Sequence, residues 1–267
     1  CAAKIVLHGK TEVEKATLFH AGAEVGQGSH TVFAQFTAEA LGLPIEKIEL
    51  CLSDTGTSGN SGSVSASRMT FMAGNAILGA VRKARERWEA GDRPAVGDYT
   101  YLAPKTSGLD KQNGHCYPNF AYGYVAEAVL ADVNTLTGEI RLRKVICADD
   151  VGKAINPALV EGQIDGAVVQ AAGYSLMENF ITEKGITRTK ELSTYMIPTS
   201  VDIPDEVQSV IVEIPDPLGP YGARGMGEMP YLPFAPAVLD AVYQATGLLF
   251  NRFPLTAEVV LRGLGKI

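Results

Sequence analysis

The sequence predicts an α+β protein made of two-layer α/β sandwich units. Strand-like and helix-like stretches are mixed along the chain without the regular strand–helix–strand alternation that builds a parallel doubly wound sheet. At 267 residues with 46% hydrophobic content, the chain can bury a substantial core. A Tyr- and Pro-rich stretch near residue 118 offers a boundary, giving expected units at 1–120 and 121–267.

Residues 4–8 and 14–21 read as strands around the polar turn Gly9-Lys10-Thr11. A glycine-rich loop, Gly22-Ala23-Glu24-Val25-Gly26-Gln27-Gly28-Ser29-His30-Thr31, then leads into a helix over 32–41 that ends at Gly42 before Pro44. Such a loop brings backbone close to a ligand in front of unpaired helix N–H groups; the alternative is a tight strand-to-helix turn. Residues 45–53 alternate as a strand. A second loop, 54–67, is nearly all small and hydroxylated and runs through Ser65-Ala66-Ser67-Arg68 into a long helix at 69–90. It is either a solvated linker or an anion cradle.

Residues 92–118 read as an irregular excursion, and 121–133 with 139–148 as a hairpin around Asn134-Thr135-Leu136-Thr137-Gly138. Asn156-Pro157 is an N-cap followed by proline at the first helical position. The helix over 157–179 carries Gly162, Gly166 and Gly173. Each costs about 1 kcal/mol against alanine, so close packing against that surface is expected. A polar patch at 182–191, a strand at 209–214, a third unusual loop at 215–230, and helices at 235–246 and 256–264 complete the chain.

The formal charge of −7, with no basic stripe, argues against nucleic acid or anionic membrane partners. The cationic run Arg82-Lys83-Ala84-Arg85-Glu86-Arg87 reads as a solvated helix face. Cys1, Cys51, Cys116 and Cys147 are scattered without a C-x-x-C pair, which disfavours a zinc site, an Fe–S cluster within the chain, or a disulfide framework. No signal sequence and no apolar run of about 20 residues is present, so a cytoplasmic location is expected. The start at Cys1, without a methionine, reads as a piece of something longer.

Glu228 lies between Gly227 and Met229-Pro230. An apolar loop would desolvate its carboxylate and suit it to act as a general base; the alternative is a pair with Arg224. Gln27 and Gln163 carry primary amides that both donate and accept, as reading a heterocycle requires, or as bonding to nearby backbone would. The histidines His8, His20, His30 and His115 show no metal-ligand spacing and read as structural or surface residues. No phosphate-binding P-loop, dinucleotide fingerprint or serine nucleophile elbow is present.

Taken in order, the loops resemble the molybdenum hydroxylases of the xanthine dehydrogenase and aldehyde oxidoreductase family. The matching parts begin with Glu24-Val25-Gly26-Gln27-Gly28 with Thr31, Ala38-Glu39-Ala40-Leu41-Gly42, Asp54-Thr55 and Ser65-Ala66-Ser67-Arg68. They continue through Asp150-Val151-Gly152 with Asn156-Pro157, Glu161-Gly162-Gln163-Ile164-Asp165-Gly166 and Gly225-Met226-Gly227-Glu228-Met229-Pro230, with a tail at Phe253-Pro254-Leu255-Thr256.

The resemblance implies the C-terminal half of a molybdenum-binding subunit, its two-layer units forming the second cofactor-binding domain. Gln27, flanked by Gly26 and Gly28, matches the glutamine that contacts molybdopterin. Ser65, Ala66 and Ser67 match the segment holding the cofactor's phosphate region, Gln163 a glutamine bonded to the pterin, and Glu228 the active-site base beside the metal. The implied cofactor is molybdenum–molybdopterin, in its cytosine dinucleotide form. The implied partners are the N-terminal half of the same subunit, an Fe–S subunit bearing [2Fe–2S] clusters and a flavin subunit bearing FAD, with a small-molecule substrate. The implied reaction hydroxylates an N-heterocycle or aldehyde with oxygen from water. A non-catalytic cofactor-binding or assembly module, or an inactive fragment, are the competing readings, and a carboxylate at Glu228 discriminates against the binding-only module.

Overall fold

The computed structural model describes residues 1–267, which fall into two compact units. The first comprises Cys1–Gly123, Val151–Leu159 and Glu213–Gly225; the second comprises Tyr124–Asp150, Val160–Val212 and Met226–Ile267. Mixed helices and small sheets give the expected α+β class.

In the first unit the strands are β1 (Ala2–His8), β2 (Lys15–His20), β3 (Ile48–Leu52) and β4 (Ala95–Thr100), in the order β3-β2-β1-β4. β1 pairs antiparallel with β2 and β4, and β2 pairs parallel with β3. Alternation along β1 buries Ala3, Ile5 and Leu7. Helix α1 (Ser29–Leu41) contributes Phe33 and Phe36 to that core, and α2 (Met69–Glu89) presents Ala73, Ala76, Ile77, Ala80 and Ala84 at helical spacing. The alanines let α2 lie close to β1 and β4. Residues 45–47 form a 3₁₀ turn rather than the start of β3, and β4 lies inside the stretch read as irregular. Its sequence, Ala-Val-Gly-Asp-Tyr-Thr, is too short and too broken by glycine to announce a strand.

In the second unit β5 (Tyr124–Val133), β6 (Ile140–Asp150) and β9 (Glu206–Val212) form a sheet in the order β5-β6-β9. β5 and β6 are the expected hairpin, and β9 joins β6 in parallel. Strands β7 (Thr182–Glu183) and β8 (Ile186–Thr187) make a minimal hairpin of their own. Helix α3 (Pro157–Leu176) buries Ile164, Ala167, Val168, Ala171 and Ser175 along one stripe. Helix α4 (Phe234–Thr246) buries Phe234, Val238 and Val242, and α5 (Ala257–Gly263) is capped by the Thr256 hydroxyl. No helix is long and apolar enough to cross a membrane.

Two carboxylates lie on the buried face of this sheet. Glu127 on β5 stands opposite Cys147 on β6, with Asp149 two residues further along. The carboxylate oxygens of both residues are shielded from solvent, with the Cys147 thiol beside Glu127 as a weak donor and no strong partner for either. Burial is the main cause raising each carboxyl to about 7; the Cys147 thiol offsets part of the effect on Glu127 and Asp149 adds to it, while Asp150 adds to that on Asp149.

Candidate functional site

The first loop is built around three side chains. Glu24 accepts the backbone N–H of Gly26 at 2.8 Å, of Gly28 at 2.9 Å and of His30 at 3.1 Å. Gln27 Oε1 accepts the Val25 N–H at 2.7 Å, while its Nε2 donates to the Ala23 carbonyl at 2.8 Å and to Ser29 Oγ at 2.9 Å. His20, fully buried against the Phe33 ring, accepts the Gly22 N–H at Nδ1. Burial is the main cause lowering its pKa to about 4, with His30 adding to it, so the ring is neutral. Gly28 has φ 83, and a Cβ there would come within 2.7 Å of Leu159 Cδ1, so only glycine serves at this helix entry.

The second loop is folded rather than linker-like. Arg68 Nη1 bonds the carbonyls of Ser61 and Ser63, pulling the chain into a compact turn. Ala66 and Ser67 sit in the left-handed region at φ 57 and 51, a conformation that costs non-glycine residues on the order of 1–2 kcal/mol each. Ser67 is followed by Arg68 at φ −83, and such a change of hand turns successive N–H groups toward one concavity. Helix α2 then begins with no side-chain cap and no acidic residue in its first turn. Ser65 and Ala66 are exposed.

The third loop contributes to both units. Within the first, Asp216 bonds the Leu218 N–H through Oδ1 and Arg224 Nε at 3.1 Å through Oδ2, in a pair whose side chains are about nine-tenths buried. Gly225 packs on the second loop so tightly that a Cβ would fall 1.5 Å from the Ser67 carbonyl oxygen. Within the second unit, Gly227 lies against Gln163, with a notional Cβ 3.2 Å from its Oε1. The Gln163 amide is half-buried and makes no hydrogen bond. Glu228 follows directly and opens a 3₁₀ turn at Met229–Tyr231.

The expected desolvation of Glu228 is not found: the residue is exposed, because the turn directs Met226 and Pro230 inward instead. Arg224 pairs with Asp216 within the first unit. The expected close packing on the α3 glycines holds only for Gly173, which abuts Glu178 and Pro198; Gly162 and Gly166 face open space on the side of the helix away from its buried stripe.

Gln27 with its flanking glycines, and Ser65 with Ala66 and Ser67, thus stand at two helix entries of the first unit. Gln163 and Glu228 belong to the second unit, where Gly227 ties them together. No group of three or more His, Cys, Asp or Glu side chains is placed to hold a metal ion. A groove of about 860 Å³ in the first unit, lined by Phe36, Leu43, Ile155 and Tyr221 among others, contains none of the candidates. Sequence reasoning missed the bracing by Glu24, His20 and Asp216. For Glu24 a signal existed: an acid placed just ahead of a glycine-rich helix entry is a ready acceptor for its free N–H groups.

The family model for the molybdopterin cofactor-binding domain matches residues 3–96 and 88–204. The chain is 31% identical to the probable hypoxanthine oxidase XdhD of Escherichia coli K12, over 97% of its own length and 30% of that protein's. It is 30% identical to the aldehyde oxidoreductase of Megalodesulfovibrio gigas, over 93% of this chain and 29% of the relative. The crystal structure of the aldehyde oxidoreductase from Desulfovibrio desulfuricans superposes with a TM-score of 0.87 at 29% identity, covering 98% of this chain and 30% of that one. The chain therefore spans about 30% of the length of these relatives. With loops, fold and family model in agreement, the chain belongs to the molybdopterin cofactor-binding domain family, in common with xanthine dehydrogenase and aldehyde oxidoreductase relatives.

Proposed function

We propose that this chain forms part of a molybdenum hydroxylase that oxidises an N-heterocycle or an aldehyde with water as the oxygen source, and that it holds the molybdopterin cofactor. The observation carrying this reading is the free, half-buried amide of Gln163 set against Gly227, one residue before Glu228. The amide is partly open to solvent and makes no hydrogen bond within the chain, so its donor and its acceptor are both available to a pterin edge. The donor set fits the rest of the group as well. The uncapped start of α2, with the Ser65 and Ser67 hydroxyls beside it, suits a phosphate. The dinucleotide extension, in its cytosine form, is part of the same proposal.

When bound, the cofactor supplies the metal centre that accepts electrons from the substrate carbon. In the first unit Gln27 offers a cofactor contact and Ser65–Ser67 anchors a phosphate end; in the second, Gln163 offers its amide to a pterin edge and Glu228 takes up a proton as general base. The chain covers about 30% of its relatives, and in this reading an N-terminal half of the subunit supplies the remaining walls of the substrate cavity. That half covers Glu228 and desolvates it. Fe–S and flavin partners carry the electrons away.

The test is molybdenum and pterin analysis of the assembled enzyme. Wild type is expected to hold near one cofactor per chain, and Gln163→Leu to hold several-fold less with its fold unchanged. Full cofactor content in Gln163→Leu removes Gln163 from the site.

A further inference from the structure

The loop ahead of α1 has the backbone of an anion site, since the N–H groups of Gly26, Gly28 and His30 converge on one point. That point is already occupied by a carboxylate of the same loop. Both Glu24 oxygens are engaged, at 2.8 to 3.1 Å. Burial alone would raise the Glu24 pKa, but the bonds from His30, Gly28 and Gly26 outweigh it and hold the value below the ordinary glutamate range. Two rings brace the same turn: His30 bonds the Gly22 carbonyl through Nε2 at 2.9 Å, and His20 accepts the Gly22 N–H at Nδ1.

We propose that Glu24 is a positioning residue of the cofactor loop: it fills the anion site at the start of α1, fixes Gly26–Gln27–Gly28, and makes this loop read an uncharged heterocycle edge instead of a phosphate. The proposal rests on the functional reading above. The geometry of Gln27 makes it sharper. The Val25 N–H can only donate and the Ala23 carbonyl can only accept, so the amide orientation is fixed. Both Nε2 hydrogens are spent, on Ala23 and Ser29, and one lone pair of Oε1 is spent on Val25. What Gln27 retains is one acceptor lone pair, which selects an N–H donor on the ligand. Helices α1 and α2 both begin without a capping side chain at the N-cap or an acid in the first turn, so the reach of Glu24 from upstream is what closes the start of α1.

The experiment compares wild type with Glu24→Gln, Glu24→Ala and Glu24→Asp in the assembled enzyme, with amide protection across 36–41 of α1 as the folding control. Hydrogen exchange at Gly26, Gly28 and His30 is expected to quicken by about tenfold or more in Glu24→Gln, with cofactor content falling several-fold. Glu24→Asp is expected to restore part of both. In Glu24→Ala, added inorganic phosphate is expected to protect the same three amides again, and to do nothing in wild type. Unchanged exchange in Glu24→Gln overturns the proposal, as does full cofactor content in a variant whose loop has loosened. If wild type itself carries no pterin, the functional reading fails on its own, and the exchange and phosphate arms still decide whether Glu24 fills the anion site.

Discussion

At pH 8, replacing Glu127 by glutamine is expected to make the second unit more stable than wild type, although it alters a buried residue. The Glu127 and Asp149 carboxyls rise from 4.5 and 3.8 to about 7, chiefly through burial. Between those limits the folded chain binds more protons than the unfolded one. Stability from this source is therefore complete below the unfolded values and is lost as pH rises through 7. The Glu127 rise corresponds to about 3 kcal/mol and the larger Asp149 rise to about 4 kcal/mol, which partial exposure and the coupling between the two groups reduce to about 1–2 kcal/mol each. Glutamine keeps the shape of the protonated acid and removes the charge. Urea midpoints at pH 5 and pH 8, taken as differences between variant and wild type, isolate this titration from that of His20. A gain of about 1–2 kcal/mol at pH 8 that shrinks toward pH 5 is expected. No gain at pH 8, or a gain that grows in acid, refutes the reasoning.

His20 works in the opposite direction: its pKa falls from 6.5 to about 4 on folding, so its contribution is whole above 6.5 and is lost as pH drops toward 4. The full span is about 3 kcal/mol, and an NMR titration placing the His20 midpoint near 6.5 would contradict it. Gly225→Ala, whose new methyl would meet the Ser67 carbonyl oxygen, is expected to cost about 3 kcal/mol or more in chemical unfolding, or to shift the Ser65–Ser67 turn in a crystal structure. Gly162→Ala has open space around it and is expected to raise stability by about 1 kcal/mol; a loss of that size would mean the site is not open.

Much of the fold is legible because local patterns decide it. Ala3, Ile5 and Leu7 alternate, α2 repeats its alanines at helical spacing, and Thr256 caps α5, so these elements can be read residue by residue. β4 is not legible, since its place is set by pairing with β1 rather than by its own propensity. The partition into units is not local either: Val151–Leu159 and Glu213–Gly225 pack with the first unit, and nothing in their composition says so. At the site, glycine and serine motifs identify the loops, but not how their donors are used. The same residues, Gly26 and Gly28, would read alike whether their N–H groups met a ligand or Glu24. Exposure of Glu228 was equally hidden, because burial depends on which side of the turn at Met229–Tyr231 faces the core.

We propose Glu228 as the general base of a molybdenum hydroxylase. It is tested most directly by turnover per bound molybdenum in the assembled enzyme, wild type against Glu228→Gln. Equal cofactor content with turnover lower by roughly 10²–10⁴-fold is expected. Equal cofactor content with equal turnover would contradict it.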